Sequence, residues 1–294
     1  MILKYIVKEN KYQSINQILK QEFKISARLQ HKLITSKQIF LNGNQVDSRI
    51  TPQINDVITV NLDFNEESEN IIPTQMALNI VYEDEALLIL DKPAGIAVHP
   101  SILHYTDSLA NGVKYYFDTI GLKRKIRPVN RLDLNTSGLI VFAKNEYVQE
   151  CLIQQMQTNE FKKEYLAIVH GIFEKTQGTI TLPIARKENS IIERCISENG
   201  QEAITHYEVL KTSNDLSLVH CTLQTGRTHQ IRVHMSAIGH PLVGDTLYGS
   251  DFSDSIARQA LHSYKISFIY PISHQIFSFT SELPDDIKSS IEAI

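Results

Sequence analysis

The chain has 294 residues, 42% of them hydrophobic and 21% charged, the balance of an ordinary globular protein with room for about two domains. No stretch approaches the roughly 18 apolar residues of a membrane span, and the opening "MILKYIVKENKYQ" lacks an apolar core followed by a small-residue cleavage site. Neither membrane attachment nor a secretory leader is therefore expected, and three scattered cysteines (Cys151, Cys195 and Cys221, with no CxxC pairing) speak against disulfides or a thiolate zinc site and for the cytoplasm.

The net charge of −4 is unevenly spread. Residues 1–62 hold nine Lys/Arg against four Asp/Glu, whereas residues 63–70, "DFNEESEN", hold four acids and no base. This partition predicts a basic N-terminal unit over 1–62, an acidic linker over 63–75 and a mildly acidic body over 76–294. A basic end can dock a polyanion, although a solvated lysine-rich surface has the same composition.

Within the first unit, Ser14 can cap a short helix carrying Ile15, Ile18 and Leu19 on one face. Ser26 can cap a second, with Leu29, Leu33 and Ile34 inward and Arg28 and Lys32 outward. "IFLNGNQV" is an alternating apolar segment broken by Asn42-Gly43, a hairpin signal, and "INDVITVNL" reads as a further strand. Over residues 14–62 this pattern resembles the small RNA-binding module first named for ribosomal protein S-four, with Lys37-Gln38 where that module usually carries a glycine. The resemblance implies that Lys24, Arg28, Lys32 and Lys37 face RNA phosphates, giving salt-dependent affinity with little sequence reading.

From Met76 onward, short β-like runs alternate with two or three helices. "LNIVYED", "ALLILDKPAGIAVHP", "KEYLAIVHG", "AITHYEVLKT", "LSLVHCTLQT" and "ALHSYKISFIY" read as strands; "YVQECLIQQMQTN" is an amphipathic helix with Val148, Leu152, Ile153 and Met156 on one face. Adjacent strands with few crossover helices predict an α+β fold, a largely antiparallel mixed sheet behind a small N-terminal α/β unit. The phosphate-cradling patterns GxxxxGK[ST] and GxGxxG are absent, and no internal repeat is visible.

Three stretches of the body carry more polar chemistry than their local structure requires. "RPVNRLDLNTSGLIVFAKN", residues 127–145, reads as a tight turn feeding a strand; the turn accounts for Asn135, Ser137 and Gly138 but not for Arg131 or Asp133. In "KKEYLAIVHG", Tyr165 precedes an apolar strand and would by itself be a half-buried strand aromatic. "LQTGRTHQIRVHMSAIGHPLVGDTLYG", residues 223–249, predicts a helix from Thr228 to Ile238 with Arg227 at its N-terminal end and Ile231, Met235 and Ile238 inward. Its His229, His234 and His240 have no HExxH spacing and no cysteine partner, which favours structural histidines over a metal site.

Together and in this order, "RLDLNTSG", "KEYLAIVHG" and "TGRTHQIRVHMSAIGHPLVGD" resemble the three core motifs of the RluA-type pseudouridine synthases. The likeness spans about residues 76–285, taking in "LLILDKPAGIAVHP" and "ALHSYKISF". It departs at Asn130, where the family usually has a histidine; an amide hydrogen-bonds but cannot become cationic. The resemblance implies uridine isomerisation in RNA with Asp133 as catalytic carboxylate, Arg227 pairing with it, Tyr165 stacking on the target uracil and Arg131 filling the gap a flipped base leaves. Asn130, Leu132, His229 and Arg232 would contact substrate. No cofactor or metal is implied, nor an obligate protein partner, and a monomer acting on ribosomal RNA, with tRNA second, is expected. Competing readings are a non-catalytic RNA-binding or ribosome-assembly protein, and an RNA hydrolase using the histidines; mapping pseudouridines with and without a chelator separates the three.

Overall fold

The computed structural model describes residues 1–66, 68, 70–213, 215–249 and 256–292. The chain begins with strand β1 (Ile2–Ile6), followed by helices α1 (Ile15–Gln21) and α2 (Ala27–Thr35), then β2 (Ile39–Leu41), β3 (Asn44–Gln45) and β4 (Val57–Asn61). These strands form a sheet in the order β1-β4-β2-β3. The Asn42-Gly43 turn has both residues at positive φ, 51° and 83°, as a tight two-residue hairpin requires. Ser26 caps α2 as expected, accepting from Leu29 N at 3.2 Å. Ser14 precedes α1 without a side-chain cap bond, and β1 is an addition to the predicted elements.

The segment after this sheet is fastened rather than loose. Asp63 pairs with Arg124. Glu66, almost fully shielded, meets Arg127 at 2.8 Å and Lys32 at 2.6 Å. Burial pushes Glu66 toward its neutral form, but those two cations more than offset it and hold its pKa below the ordinary value. The expected acidic linker is thus partly a docking strap; its Glu67 and Glu69 lie outside the described residues. Arg28 and Lys32 also turn toward the body, at 3.3 Å and 3.7 Å from Glu146, and Ser26 donates to Glu150 at 2.7 Å. Buried residues of the first unit and of the body belong to one continuous apolar cluster.

The body continues with β5 (Ile80–Glu83), β6 (Leu87–Lys92), α3 (Leu109–Thr119), β7 (Ser137–Ala143), α4 (Glu146–Gln157) and β8 (Lys162–His170). Then come β9 (Gln177–Ile180), β10 (Ile184–Arg186), β11 (Arg194–Ile196), β12 (Thr205–Ser213), β13 (Leu216–Leu223), α5 (Gln230–Ala237), β14 (Leu261–Ile269), β15 (Ile276–Thr280) and α6 (Asp285–Glu292). One sheet runs β5-β6-β7-β14-β8-β13-β12-β9, with β15 beside β14, while β10 and β11 make a separate hairpin. Every pairing in the large sheet is antiparallel except β7 with β14. This is the mixed, largely antiparallel α+β architecture expected, with four helices in the body rather than two or three. No helix among the described residues is long and apolar enough to cross a membrane.

The parallel junction positions the site. Gly138, at φ +107°, lies so close to β14 that an added Cβ would stand 2.3 Å from the Ser263 carbonyl oxygen, so only glycine permits this approach. The turn before β7 is thereby held against the sheet centre, between the two large core clusters.

Candidate active site

The 131–136 turn is clamped from several sides. Lys92 is wholly buried and donates from Nζ to the carbonyls of Pro93, Ile96 and Leu134, each at 2.9 Å. Burial draws its pKa down to about 7, Asp133 opposes that and Arg258 adds to it. Three carbonyl acceptors match the three protons of an ammonium. Arg258, anchored on Asp286 at 2.6 and 2.9 Å, donates to Asn135 O at 3.0 Å. Asn130 is buried and stitches the incoming strand to β7: Val141 N donates to its Oδ1 at 2.9 Å and its Nδ2 donates to Leu139 O at 3.3 Å. Leu132 anchors the turn in the second core cluster. Arg131, on the alternate side, is exposed, and Asp133 is partly open to solvent.

Asp133 faces a cavity of about 540 Å³ that Asn130, Arg131, Leu132, Tyr165, Arg227, His229 and Arg232 also line. The turn, β8 and α5 with its leading loop therefore converge, bringing the three sequence stretches together. Tyr165, only 5% exposed, presents its ring from β8, and burial, then Asp133, raise the pKa of its hydroxyl.

The arginine that meets Asp133 is not the one expected. Arg232 donates from Nη1 to Asp133 Oδ2 at 3.3 Å. Its Nε and Nη2 form a bidentate pair with Asp245 at 2.7 and 2.8 Å, and the Asp245 side chain is entirely buried. Burial opposes the Arg232 charge, but Asp245 and then Asp133 outweigh it and raise its pKa. Tyr248 lies under the guanidinium, 5.0 Å from its ring centroid. Arg227 is exposed, and its Nε donates to the Glu202 carbonyl at 2.9 Å; the described residues give it no carboxylate. The physical reason is the position of each on the element. Arg227 precedes α5, whereas Arg232 lies on the buried first turn of the helix, where only a paired charge is tolerable.

His229 opens α5 with a left-handed φ of 58°. Its Nδ1 meets the Tyr248 hydroxyl at 2.8 Å and its Nε2 stands 3.9 Å from Asp133 Oδ1, beyond hydrogen-bond reach. Burial lowers its pKa, with Asp133 opposing, which favours the neutral ring. His234 bridges Thr205 Oγ1 and Leu182 O at 2.9 and 2.8 Å, and His240 bonds His170 O at 2.8 Å and stacks on Phe173. These are structural histidines, and no cluster among the described residues is arranged to hold a metal. Sequence reasoning missed Asp245, Lys92 and the cavity-lining Lys163. Asp245 sits inside the same "GHPLVGD" stretch as the arginine it holds, and Lys163 shares the strand period of Tyr165.

Asp133, partly open and met by a buried arginine, therefore lines a cleft at the centre of a mixed, largely antiparallel sheet, together with a buried tyrosine. The family model described as RNA pseudouridylate synthase matches residues 86–237. An uncharacterized RNA pseudouridine synthase of Bacillus subtilis (strain 168), YhcT, is 39% identical over 274 residues, covering 92% of this chain and 90% of that protein. Ribosomal large subunit pseudouridine synthase D of Nitrosomonas europaea is 40% identical over 225 residues, 74% of this chain and 65% of that protein. The solved structure of human RNA pseudouridylate synthase domain containing 1 superposes with a TM-score of 0.58 at 26% identity, over 74% of this chain and 94% of that one. The chain belongs to the RNA pseudouridylate synthase family. Within it, the chain is an RluA-type enzyme that isomerises uridine in RNA to pseudouridine.

Proposed function

We propose that this enzyme modifies large-subunit ribosomal RNA in the cytoplasm as a monomer, with Asp133 as its catalytic carboxylate. The observation that carries the assignment of Asp133 is its place in the cavity beside Tyr165, with Oδ2 held by Arg232 and Oδ1 free of any close donor among the described residues. The naming of several relatives as large-subunit synthases supports the choice of RNA; tRNA is the second choice.

The reaction breaks the bond from ribose C1′ to uracil N1, turns the base and joins C5 to C1′. The proton lost from C5 is balanced by one gained at N1, so no electrons and no external group are needed. Asp133 Oδ1 faces the sugar–base junction, as nucleophile at C1′, as nucleophile on the uracil ring or as base at C2′, and a 2′-deuterium isotope effect on turnover singles out the last. Tyr165 offers the flipped uracil a stacking face, and Arg131, at the exposed rim, occupies the space that the base leaves in the RNA. Arg232 takes the orienting role expected of Arg227, with His229, Leu132 and Asn130 shaping the wall.

Residues 1–62 serve as an RNA-docking unit resembling the S-four module. Lys24 and Lys37 are exposed on it and are the cations best placed for phosphates; Arg28 and Lys32 divide their charge with Glu146 and Glu66. The test is incubation of the enzyme with 23S-type and transfer RNA lacking modifications, followed by pseudouridine mapping. Modification of a defined large-subunit uridine is expected; pseudouridine in tRNA alone overturns the choice of RNA.

A further inference from the structure

Lys163 and Arg227 are cavity-lining cations that the mechanism leaves unused. Lys163 sits two residues before Tyr165 on β8, so the two side chains leave the same face of the strand, about 7 Å apart. The opposite-facing Glu164 is engaged with His220 at 2.9 Å and Lys265 at 3.1 Å and offers Lys163 nothing. Lys163 is 7% exposed, yet among the described residues its ammonium has neither a hydrogen-bond acceptor nor an ion-pair partner. Gly226 lies beside it, and an added Cβ there would come to 3.0 Å from Nζ. Its charged neighbour is Arg227, which repels it and whose terminal NH2 groups have no partner among the described residues. Glu202 lines the same cavity but pairs with neither.

A buried ammonium without a counter-charge is costly, and a second cation beside it adds to the cost. Burial, then Arg227, pull Lys163 down to about 8. Such a pair is stabilised by an anion entering from the cavity. The uracil is neutral, and Asp133 is engaged with Arg232 at the other end. The strand supplies one anionic group per nucleotide, its phosphodiester.

We propose that Lys163 and Arg227 together bind the backbone phosphate flanking the flipped uridine. This inference rests on the RNA strand entering this cavity as described above. The cavity then has two poles: Asp133 and Tyr165 take sugar and base, while the dication takes the phosphate and fixes how deep the nucleotide sits.

The test uses a single-stranded AAUAA pentaribonucleotide and two analogues, each with one phosphate beside the uridine replaced by a neutral methylphosphonate. One of the two analogues should bind the parent enzyme about tenfold more weakly, the loss expected of one charge-assisted contact. Lys163→Met should weaken binding of the native strand by a similar factor, flatten its salt dependence by about 0.7 in log–log slope, and show a clearly smaller penalty for that analogue, because Arg227 alone then meets the phosphate. Equal binding of all three strands by the parent enzyme overturns the proposal, as does a Lys163→Met protein that keeps the full methylphosphonate penalty. The parent arm needs no variant, so a misfolded substitution cannot hide the answer. Absence of pseudouridine from ribosomal RNA would count against the choice of RNA instead, because the pentanucleotide experiment reads binding alone.

Discussion

Replacing Arg232 by alanine and Arg227 by alanine should have opposite signatures. Among the described residues, Arg232→Ala leaves the buried Asp245 carboxylate with only the backbone amides of Leu247 and Tyr248, at 3.1 and 3.3 Å. Breaking one partner of a buried pair costs about 3–5 kcal/mol, a large part of the roughly 5–15 kcal/mol that holds a domain folded. At the smaller shift proper to a long chain, about 2 °C per kcal/mol, the melting temperature should fall by roughly 6–10 °C. Turnover should also vanish at temperatures where the variant remains folded, because Asp133 loses its contact with Arg232. Arg227→Ala removes an exposed side chain with one carbonyl bond, so its melting temperature should stay within about 2 °C. Its loss should show as weaker RNA binding with turnover of bound RNA largely kept. Calorimetry and single-turnover pseudouridine assays on both variants read these quantities. A second check is Arg232→Met combined with Asp245→Asn, which should regain stability relative to the single Arg232→Met variant but not activity. A destabilised, inactive Arg227→Ala beside a near-normal Arg232→Ala would refute the assignment.

Asp133→Asn keeps the side-chain shape and loses a single 3.3 Å contact, so stability should change by about 1 kcal/mol or less while pseudouridine formation falls to background; substantial turnover would remove Asp133 from the chemistry. Lys163 is held at about 8 against an ordinary 10.5, so between those values the unfolded chain binds the extra proton and stability rises with pH. The penalty is fully present below about pH 8, so Lys163→Met should melt higher than the parent at pH 7, with the gap closing by about pH 10.5; a gap independent of pH would show that the charge is not its cause. Asn130→Asp turns a second acceptor toward the Leu139 carbonyl and should cost about 1–3 kcal/mol in urea unfolding. Asn130→His can keep the bond to Val141 N and should retain turnover at a smaller cost, and a folded but inactive Asn130→His would show that the amide does more than stitch the turn to β7.

The fold was legible where local and tertiary preferences agree. The Asn42-Gly43 hairpin, the Ser26 cap and the longer strands of the body follow from turn chemistry and apolar patterning, and the structure places them as read, whereas β9, β10, β11 and β15 are additions to that reading. β1 was not legible either, because "ILKYI" gains its strand identity from five cross-strand partners on β4 rather than from its own pattern. The charge partition also reads two ways. Nine basic residues in the first 62 marked an RNA-facing end, yet Arg28 and Lys32 turn to carboxylates of the body and strap, so a composition total overstates the charge left for a ligand. Only contacts reveal which cations are already engaged.

The same limit explains the arginines. "TGRTHQIRVH" holds two within six positions, and an amphipathic reading of α5 turns Ile231, Met235 and Ile238 inward and leaves the polar residues outside. The helix is instead buried nearly all round, and each of its polar side chains has a designated acceptor. Gln230 donates to Ile204 O and Thr205 Oγ1, each at 3.0 Å; His234 bridges Thr205 and Leu182; Arg232 forks onto Asp245. An arginine at the edge of a helix needs no carboxylate, whereas one inside it does. The carboxylate thirteen positions downstream in "GHPLVGD", itself without any role in a turn reading, is the signal that could have pointed to the inner arginine, and the sequence reading passed it over. With Nε and Nη2 of Arg232 held by Asp245, its Nη1 is left to meet Asp133, and an orienting contact fixed in this way suits the catalytic role proposed for that carboxylate.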